Sequence, residues 1–235
     1  MITTFLFDLD GTLLPMDQDI FLKAYMGGLA AKMAQHGYEP KGFIKAIWKG
    51  TEAMVKNDGQ ARNDVVFWST FSALMNRDTK LDEPLFEEFY KNEFQDVRHS
   101  CGFEAQSSQL IRELKSMGFR IVLATNPLFP AIATHSRVRW AGMEPEDFEL
   151  ITTYENSFHC KPNLDYYRDI LQQLKVTPAE CVMIGNDASE DMIAEELGMN
   201  VFLLTDCTIN KENKDISCYP HGGFSELFAY IRGLR

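Results

Sequence analysis

The sequence lacks a long apolar segment and a targeting signal. No uninterrupted apolar run approaches the ~18 residues that a membrane-spanning helix requires. The apolar start of the chain is broken by Asp8 and has no cationic flank, which is not the pattern of a secretory signal. These two absences predict a soluble, cytoplasmic protein.

Cations, paired cysteines and metal-ligand histidine spacings are also scarce. Lys and Arg number 23 against 34 Asp and Glu, and the net charge of −11 disfavours binding to nucleic acid or anionic lipid. The five cysteines form no C-x-x-C pair, so we expect reduced thiols. The five histidines show no spacing typical of a metal site. We therefore expect neither nucleic acid nor a membrane as a partner, and the oligomeric state stays open.

Five short segments rich in aliphatic and aromatic residues have the pattern of buried strands. Segments with helical periodicity separate the later ones, and glycine follows several of them, as is common at helix ends. This alternation predicts an α/β fold, a doubly wound, Rossmann-like parallel sheet of five strands, with the ligand site beyond the carboxyl ends of the strands. The predicted strands are 3–9, 119–125, 150–153, 181–185 and 200–205, and the predicted helices of this core are 104–117, 131–140, 164–174, 188–197 and 224–231.

Residues 17–96 have a different pattern, without a strand-like run. Their aromatic and aliphatic residues recur at helical spacing in four segments. We therefore predict an all-helical cap formed by residues 17–96, inserted into an α/β catalytic core formed by residues 1–16 and 97–235. We expect Trp48 and Trp68 to belong to the apolar core of the insert.

Two pairs of acidic residues follow predicted strands. Asp8 and Asp10 end the first strand, where strand alternation turns both side chains to the same side. Asp187 and Asp191 follow the strand at 181–185 and share one face of a predicted helix. A turn or a helix cap also explains each pair taken alone. Because neighbouring strands bring all four carboxylates to one edge, we predict that they share a cation, and an all-oxygen site favours Mg²⁺.

Other polar residues lie near the same edge of the predicted sheet. Thr125 and Asn126 end the second strand, where a hydroxyl and backbone N–H groups can hold phosphate oxygens, although an Asn-Pro turn is the simpler explanation of these residues alone. Lys161 precedes Pro162, a favourable first residue of a helix, so its ammonium can point to this edge; a surface lysine is the alternative. Arg62, in a turn of the insert, is the candidate for substrate specificity.

Taken in order along the chain, these motifs resemble those of the haloacid dehalogenase-like hydrolase superfamily. The resemblance covers the whole predicted sheet, and the helical insert stands where many members carry a helical cap. Asp10 places the chain with the phosphatase and phosphomutase group, since members that cleave carbon–halogen bonds generally lack an acid there. The motifs are DLDGT at 8–12, ATN at 124–126, KPN at 161–163 and GNDASED at 185–191.

The resemblance implies catalytic and phosphate-binding roles. Asp8 would be the nucleophile that receives the phosphoryl group as an aspartyl phosphate. Asp10 would be the acid that protonates the leaving oxygen and later activates water. Thr125, the backbone of Asn126 and Lys161 would hold the transferring phosphoryl group.

The resemblance also implies a magnesium site. Asp8, the backbone carbonyl of Asp10 and Asp187 would bind Mg²⁺, with Asp191 in direct or supporting contact. The chain departs from the family pattern at Asn186, where many members carry Glu, Asp or Gly, and this departure bears on metal affinity.

These residues favour a Mg²⁺-dependent phosphatase that hydrolyses a small phosphate ester through an aspartyl-phosphate intermediate. Two alternatives stay open. A sugar-phosphate mutase would return the phosphoryl group to the substrate, and a binding protein would keep the fold without turnover. The sequence does not identify the substrate.

Overall fold

The computed structural model describes residues 1–234 and contains a parallel sheet with helices on both faces, which confirms the predicted α/β fold. Five strands fall within the five predicted segments, and β6 is an additional edge strand of two residues, so the prediction of five strands is wrong by one. A strand this short carries no apolar pattern in the sequence. In spatial order the strands are β3 (Leu150–Ile151), β2 (Arg120–Leu123), β1 (Thr4–Phe7), β4 (Cys181–Gly185), β5 (Asn200–Leu204) and β6 (His221–Gly222).

Residues 17–100, all of which the structure describes, form helices joined by turns. Acidic side chains cap two of these helices: Asp17 Oδ1 accepts hydrogen bonds from the backbone N–H groups of Asp19 and Ile20 at 3.0 Å, and the carboxylate of Glu39 caps the helix that begins at Pro40. The elements are α1 (Gln18–Ala34), α2 (Pro40–Val55), α3 (Asn63–Met75), α4 (Glu83–Lys91) and the 3₁₀ segments Thr79–Asp82 and Glu93–Ser100.

Side chains of the strands alternate between two apolar clusters. Phe5 and Phe7 of β1 join one cluster, which extends into the helices between β1 and β2, and Leu6 joins the other. Both faces of the sheet are therefore covered, as expected for a doubly wound fold. The helices on the first face are α5 (Ala105–Ser116), α6 (Ala131–Trp140) and α8 (Phe224–Gly233), and the helix on the second face is α7 (Leu164–Leu174).

Most helices of the core match their predicted bounds within two residues, but the helix predicted at 188–197 is wrong. Residues 188–191 form turns, and only Met192–Leu197 coil into a 3₁₀ helix. Asp187 caps the segment as it would cap a helix, but beyond the cap the backbone bonds run to the third residue back, as from Ala194 N to Asp191 O at 3.2 Å, and the coil tightens into a 3₁₀ helix. Among the helices of residues 1–234, none combines the length and apolar character needed to cross a membrane.

The boundaries of the helical cap stay a prediction. The 3₁₀ segment Glu93–Ser100 runs across the predicted boundary after residue 96. An antiparallel bridge joins Met16 to Cys101, so the two predicted core segments also meet close to the insert. Arg235, the last residue of the predicted core, lies outside the described residues.

Candidate active site

The carboxyl ends of β1, β2 and β4 meet at one edge of the sheet. Phe7 of β1 pairs with Leu123 of β2 and with Ile184 of β4, so the residues that follow these three strands emerge side by side. A cavity of about 240 Å³ lies at this edge. Its lining includes six of the predicted site residues, Asp8, Asp10, Thr125, Asn126, Asp187 and Asp191.

Lys161 forms the charged centre of this edge. Its ammonium donates hydrogen bonds to Asp8 Oδ1 at 2.9 Å and to Asp191 Oδ1 at 2.6 Å, and only 1% of the residue is exposed. Burial disfavours the charged lysine, but the carboxylates of Asp191 and Asp8 outweigh burial and hold the pKa of Lys161 well above its ordinary value. Lys161 is therefore a fixed cation beside Asp8.

Lys161 reaches the edge from a loop. The expectation that Pro162 begins a helix is wrong, because α7 begins at Leu164 and the side chain of Asn163 caps it by accepting a hydrogen bond from Asp165 N at 2.9 Å. The two ion pairs, rather than a helix end, hold the ammonium in place.

Asp187 and Asp191 meet through a turn instead of a helix. Asp187 Oδ1 accepts hydrogen bonds from the backbone N–H groups of Ser189 at 2.7 Å and Glu190 at 2.9 Å, and Asp191 Oδ2 accepts one from Asp187 N at 3.0 Å. Gly185 allows this approach, since a Cβ there would overlap the Asp191 carboxylate. Both oxygens of Asp191 are thus engaged by protein donors, so Asp191 supports Lys161 and Asp187.

Asp10 pairs with a buried arginine that no sequence pattern predicts. Arg137 on α6 donates from Nη1 to Asp10 Oδ2, and its guanidinium carbon lies 4.3 Å from the ring centroid of Phe129. Burial raises the pKa of Asp10, the charge of Arg137 opposes that rise, and the charge of Asp8 adds to it. Within residues 1–234, Asp10 Oδ1 is buried without a hydrogen-bond partner, which makes it the oxygen available to a bound molecule.

The turn after β1 places Asp8 and Asp10. The strand ends at Phe7, so strand alternation does not extend to either aspartate and the reason given for their common orientation is wrong. The chain turns instead at Gly11, whose φ is +86° and where a Cβ would overlap the side chain of Asn186. Both carboxylates nevertheless reach the cavity.

A divalent cation could bind the carboxylate oxygens of Asp8 and Asp187 that accept few or no hydrogen bonds from the protein. Asp8 Oδ2 accepts only a long hydrogen bond of 3.4 Å from Thr12, and Asp187 uses one of its two oxygens in the turn. Within residues 1–234, no group of three or more His, Cys, Asp and Glu side chains could hold a metal ion by itself. Two carboxylates and the carbonyl of Asp10 could hold Mg²⁺, which commonly keeps several water ligands.

Thr125 and Asn126 follow β2, and Asn126 contacts a further acidic residue of the site, Glu190. Asn126 Nδ2 donates a hydrogen bond to Glu190 Oε2 at 2.9 Å, and all three residues line the cavity. Burial raises the pKa of Glu190 to about 7, against the opposing charge of Lys161. The backbone carbonyl of Thr125 accepts a hydrogen bond from the Tyr166 hydroxyl at 3.0 Å, which fixes this strand end.

Arg62 is not among the residues of the described chain that line the cavity. Its guanidinium pairs with Asp64 at 3.1 and 3.2 Å, and about half of the side chain is exposed (51%). A contact between Arg62 and a substrate stays a prediction that no contact in the structure supports.

Trp48 and Trp68 both line the cavity. Trp48 is 45% exposed, so the prediction that it belongs to the apolar core of the insert is wrong. Trp68 is buried in that core, as expected, and also presents part of its ring to the cavity. Helical periodicity marks the apolar face of a helix but does not distinguish a face turned to a core from one turned to a cavity.

Comparison with known proteins identifies the family. The sequence profile of a hydrolase family described as haloacid dehalogenase-like hydrolase matches residues 2–195. The chain belongs to the haloacid dehalogenase-like hydrolase family.

Relatives of this hydrolase include two proteins with phosphatase names. Pyrophosphatase PpaX of Bacillus cereus is 24% identical over 190 residues, which are 79% of this chain and 75% of that protein. Sesquiterpene phosphatase astK of Aspergillus oryzae is 29% identical over 103 residues, 44% of this chain, and the match spans about half of that protein (51%).

Solved structures share the fold of this hydrolase. A 2-haloacid dehalogenase from Pseudomonas syringae pv. tomato superposes with a TM-score of 0.66 at 18% identity over 100% of both chains. A HAD phosphatase from Thermococcus onnurineus superposes with a TM-score of 0.61 at 17% identity over 99% of both chains.

Asn186, where this hydrolase departs from the family pattern, joins two loops. Its Nδ2 donates a hydrogen bond to the carbonyl oxygen of Cys207 at 2.7 Å, and its Oδ1 accepts one from Thr12 Oγ1 at 3.1 Å. Asn186 therefore ties the turn after β1 to the segment after β5, and it lines the same cavity as the carboxylates that could hold a metal.

Proposed function

We propose that this hydrolase cleaves phosphate monoesters, with Asp8 as the nucleophile and Mg²⁺ as the cofactor. The observation that carries the proposal is the position of the Asp8 carboxylate between the fixed cation of Lys161 and the cavity that Asp10 also lines. The names of two relatives, a pyrophosphatase and a sesquiterpene phosphatase, support hydrolysis at phosphorus. A carboxylate and a phosphate repel each other, and a buried cation beside the nucleophile lowers that repulsion.

In the first step, a carboxylate oxygen of Asp8 attacks phosphorus, and the bond between phosphorus and the ester oxygen breaks. Asp10, in its protonated form, gives its proton to the departing alkoxide, so the product leaves as an alcohol. The raised pKa of Asp10 favours the protonated form that this step needs. The Thr125 hydroxyl and the backbone N–H of Asn126 hold the oxygens of the transferring group, and the ammonium of Lys161, bound to Asp8, adds positive charge beside them.

In the second step, water attacks the phosphorus of the aspartyl phosphate. Asp10, now ionised, takes a proton from that water, and the bond from phosphorus to Asp8 breaks. Inorganic phosphate leaves, and both carboxylates return to their starting forms.

The magnesium site of this proposal consists of Asp8, Asp187 and the carbonyl of Asp10, with Asp191 as the residue that orients Lys161 and Asp187. When bound, Mg²⁺ supplies positive charge beside the phosphoryl oxygens and orients them. The oxygen-only donor set and the space for water ligands support this choice of metal.

Phosphate release from phenyl phosphate, compared with halide release from 2-chloropropionate, tests the proposed reaction class. Both substrates are offered with Mg²⁺, because one structural neighbour is a dehalogenase. We expect phosphate release and no halide release. Halide release without phosphate release contradicts the proposal, and isomerisation of a hexose 1-phosphate without net phosphate release indicates a mutase instead.

Removal of the metal is expected to lower the rate at least about 100-fold. Protein dialysed against EDTA is assayed with phenyl phosphate before and after addition of MgCl₂, and the added Mg²⁺ should restore the rate. Full activity in the chelated protein contradicts the metal requirement.

The Asp187→Asn variant is expected to need at least about tenfold more Mg²⁺ for half-maximal activity, because one anionic ligand becomes neutral. The matched control is Asp96→Asn, an exposed aspartate that does not line the cavity. An unchanged Mg²⁺ requirement in Asp187→Asn removes this residue from the metal site.

Arg137 is expected to position Asp10 and to set the pH range of turnover. In Arg137→Met, Asp10 loses the charge that lowers its pKa, so it holds its proton to higher pH, and the alkaline limb of the kcat profile should move upward. We also expect kcat to fall about 10- to 100-fold, because the acid is no longer oriented. Arg137→Lys should restore part of both effects.

The matched control is Arg139→Met, on the same helix, where the arginine is exposed and pairs with Glu144. This variant should keep the native pH profile. If Arg137→Met lowers stability while the alkaline limb stays in place, Arg137 is a structural residue and does not set the pKa of Asp10.

A further inference from the structure

The cavity extends from the carboxylates to a wall of aromatic rings contributed by the insert. Six of these rings lie on α1, α2, α3 and α4. They are named the aromatic wall and are Phe21, Tyr25, Trp48, Phe67, Trp68 and Phe86. All but Trp48 are more than nine-tenths buried. The ring centroids of Trp68 and Phe86 lie 5.1 Å apart, edge to face, so these rings support each other in place.

Two hydroxyl groups at the aromatic wall, those of Tyr25 and Tyr90, bind each other. Tyr25 Oη and Tyr90 Oη lie 2.8 Å apart and form a hydrogen bond with each other. Burial raises the pKa of Tyr25 to about 12, so this tyrosine is neutral. The pair therefore offers ring surface to a bound molecule and has little capacity left for the hydroxyls of a sugar.

Cations are scarce in the cavity. Among the lining residues of the described chain, Lys211 is the one Lys or Arg, and it is exposed. Lys161 and Arg137 do not line the cavity and are bound to carboxylates. A second anionic group on the substrate would thus meet one exposed lysine at most, and polar groups buried without partners weaken binding.

We infer that the substrate is the phosphate monoester of an apolar alcohol, whose aryl or aliphatic body packs against the aromatic wall. The inference rests on the proposed phosphatase activity for the phosphate end and adds the chemical class of the alcohol. The aromatic wall removes apolar surface from water. Within residues 1–234, Trp68 Nε1 is buried in the wall without a hydrogen-bond partner and offers a sugar a single N–H donor, while the scarcity of cations disfavours a dicarboxylic acid.

A chain-length series tests this class. The kcat/KM values of ethyl, butyl and hexyl phosphate are measured with Mg²⁺, together with those of glycerol 3-phosphate and glucose 6-phosphate. We expect kcat/KM to rise about fourfold for each added methylene until the cavity is filled. Hexyl phosphate should exceed glucose 6-phosphate at least about 100-fold, and equal or lower values for hexyl phosphate overturn the inference.

Substitution of Trp48 removes part of the aromatic wall without creating a cavity in the apolar core. Trp48 is half-exposed, so we expect Trp48→Ala to fold and to lower the ratio of kcat/KM for hexyl phosphate to that for ethyl phosphate about tenfold. Leu81→Ala is the matched control, because Leu81 is exposed on the insert and does not line the cavity. A ratio unchanged in Trp48→Ala contradicts the role of the aromatic wall.

A binding measurement separates this inference from the proposed reaction. Hexyl phosphate and glucose 6-phosphate are titrated calorimetrically into Asp8→Asn, which keeps the aromatic wall but lacks the nucleophile. If no monoester is hydrolysed by the native protein and only hexyl phosphate binds the variant, the reaction is wrong and the apolar class stands. If both esters are hydrolysed with equal kcat/KM, the reaction stands and the apolar class is wrong.

Discussion

The Asp8→Asn variant is expected to lose at least about 10⁴-fold in kcat for phenyl phosphate, the largest effect on activity expected of a single substitution here. An amide has no anionic oxygen to attack phosphorus. Among residues 1–234, the other carboxylate that binds Lys161 is Asp191, and both of its oxygens are engaged. Initial rates of phosphate release at saturating Mg²⁺ measure the loss.

Two controls accompany this measurement. Thermal unfolding of Asp8→Asn should show a folded protein, since Lys161 keeps its ion pair with Asp191. Native protein quenched in acid during turnover of ³²P-labelled phenyl phosphate should carry label that hydroxylamine removes, as expected of an acyl phosphate, and Asp8→Asn should carry none. Label on a different residue, or a variant with more than about one hundredth of native kcat, excludes Asp8 as the nucleophile.

The edge of the sheet at which the site lies could be predicted because the inner strands are buried on both faces. β1 and β4 are buried along their whole length, and such strands appear in a sequence as short continuous apolar runs. The polar residues directly after them therefore mark the strand ends. Since parallel strands share the direction of their carboxyl ends, Asp8, Thr125 and Asp187 could be assigned to one edge without knowledge of any contact.

Two local elements could not be predicted for physical reasons. β6 has two residues and exists because it pairs with β5, a contact that no local pattern records. The segment 188–197 has helical periodicity and Asp187 caps its start, but its later backbone bonds, such as Ala194 N to Asp191 O, run three residues back and form a 3₁₀ helix. Apolar periodicity over so short a segment does not distinguish a 3₁₀ helix from an α-helix.

The contact between Arg137 and Asp10 could not be predicted from the residues that surround either one in the chain. Arg137 stands 127 residues from Asp10 in the chain, in the last turn of α6, where a basic residue is ordinarily explained by the negative end of the helix dipole. Only the packing of α6 against the sheet brings its guanidinium to Asp10. A fully buried arginine requires a partner, but the sequence does not reveal which arginine is buried.

Lys161→Met is expected to cause the largest loss of stability, about 3 to 5 kcal/mol in the free energy of unfolding at neutral pH. The variant leaves the carboxylates of Asp8 and Asp191 buried beside each other without the cation that now neutralises them. Urea unfolding of native protein and variant, both without added Mg²⁺, measures the loss, and the midpoint of thermal unfolding should fall by roughly 10 °C.

The pH dependence of that loss identifies its cause. Burial raises the pKa of Asp191 to about 6 against the opposing charge of Lys161, and loss of that charge raises it further. Between the ordinary carboxyl pKa and the raised one the folded state binds more protons than the unfolded state, so the variant gains stability as the pH falls. The difference in the free energy of unfolding between the native protein and Lys161→Met should therefore shrink towards pH 5.

A second substitution tests the same cause. Asp191→Asn added to Lys161→Met should recover part of the lost stability at neutral pH, because one of the two unpaired charges is gone. Lys23→Met, at an exposed lysine of α1, is the matched control and should change stability little. A deficit that is independent of pH and is not reduced by Asp191→Asn would indicate lost packing of the lysine stem, not lost neutralisation of the carboxylates.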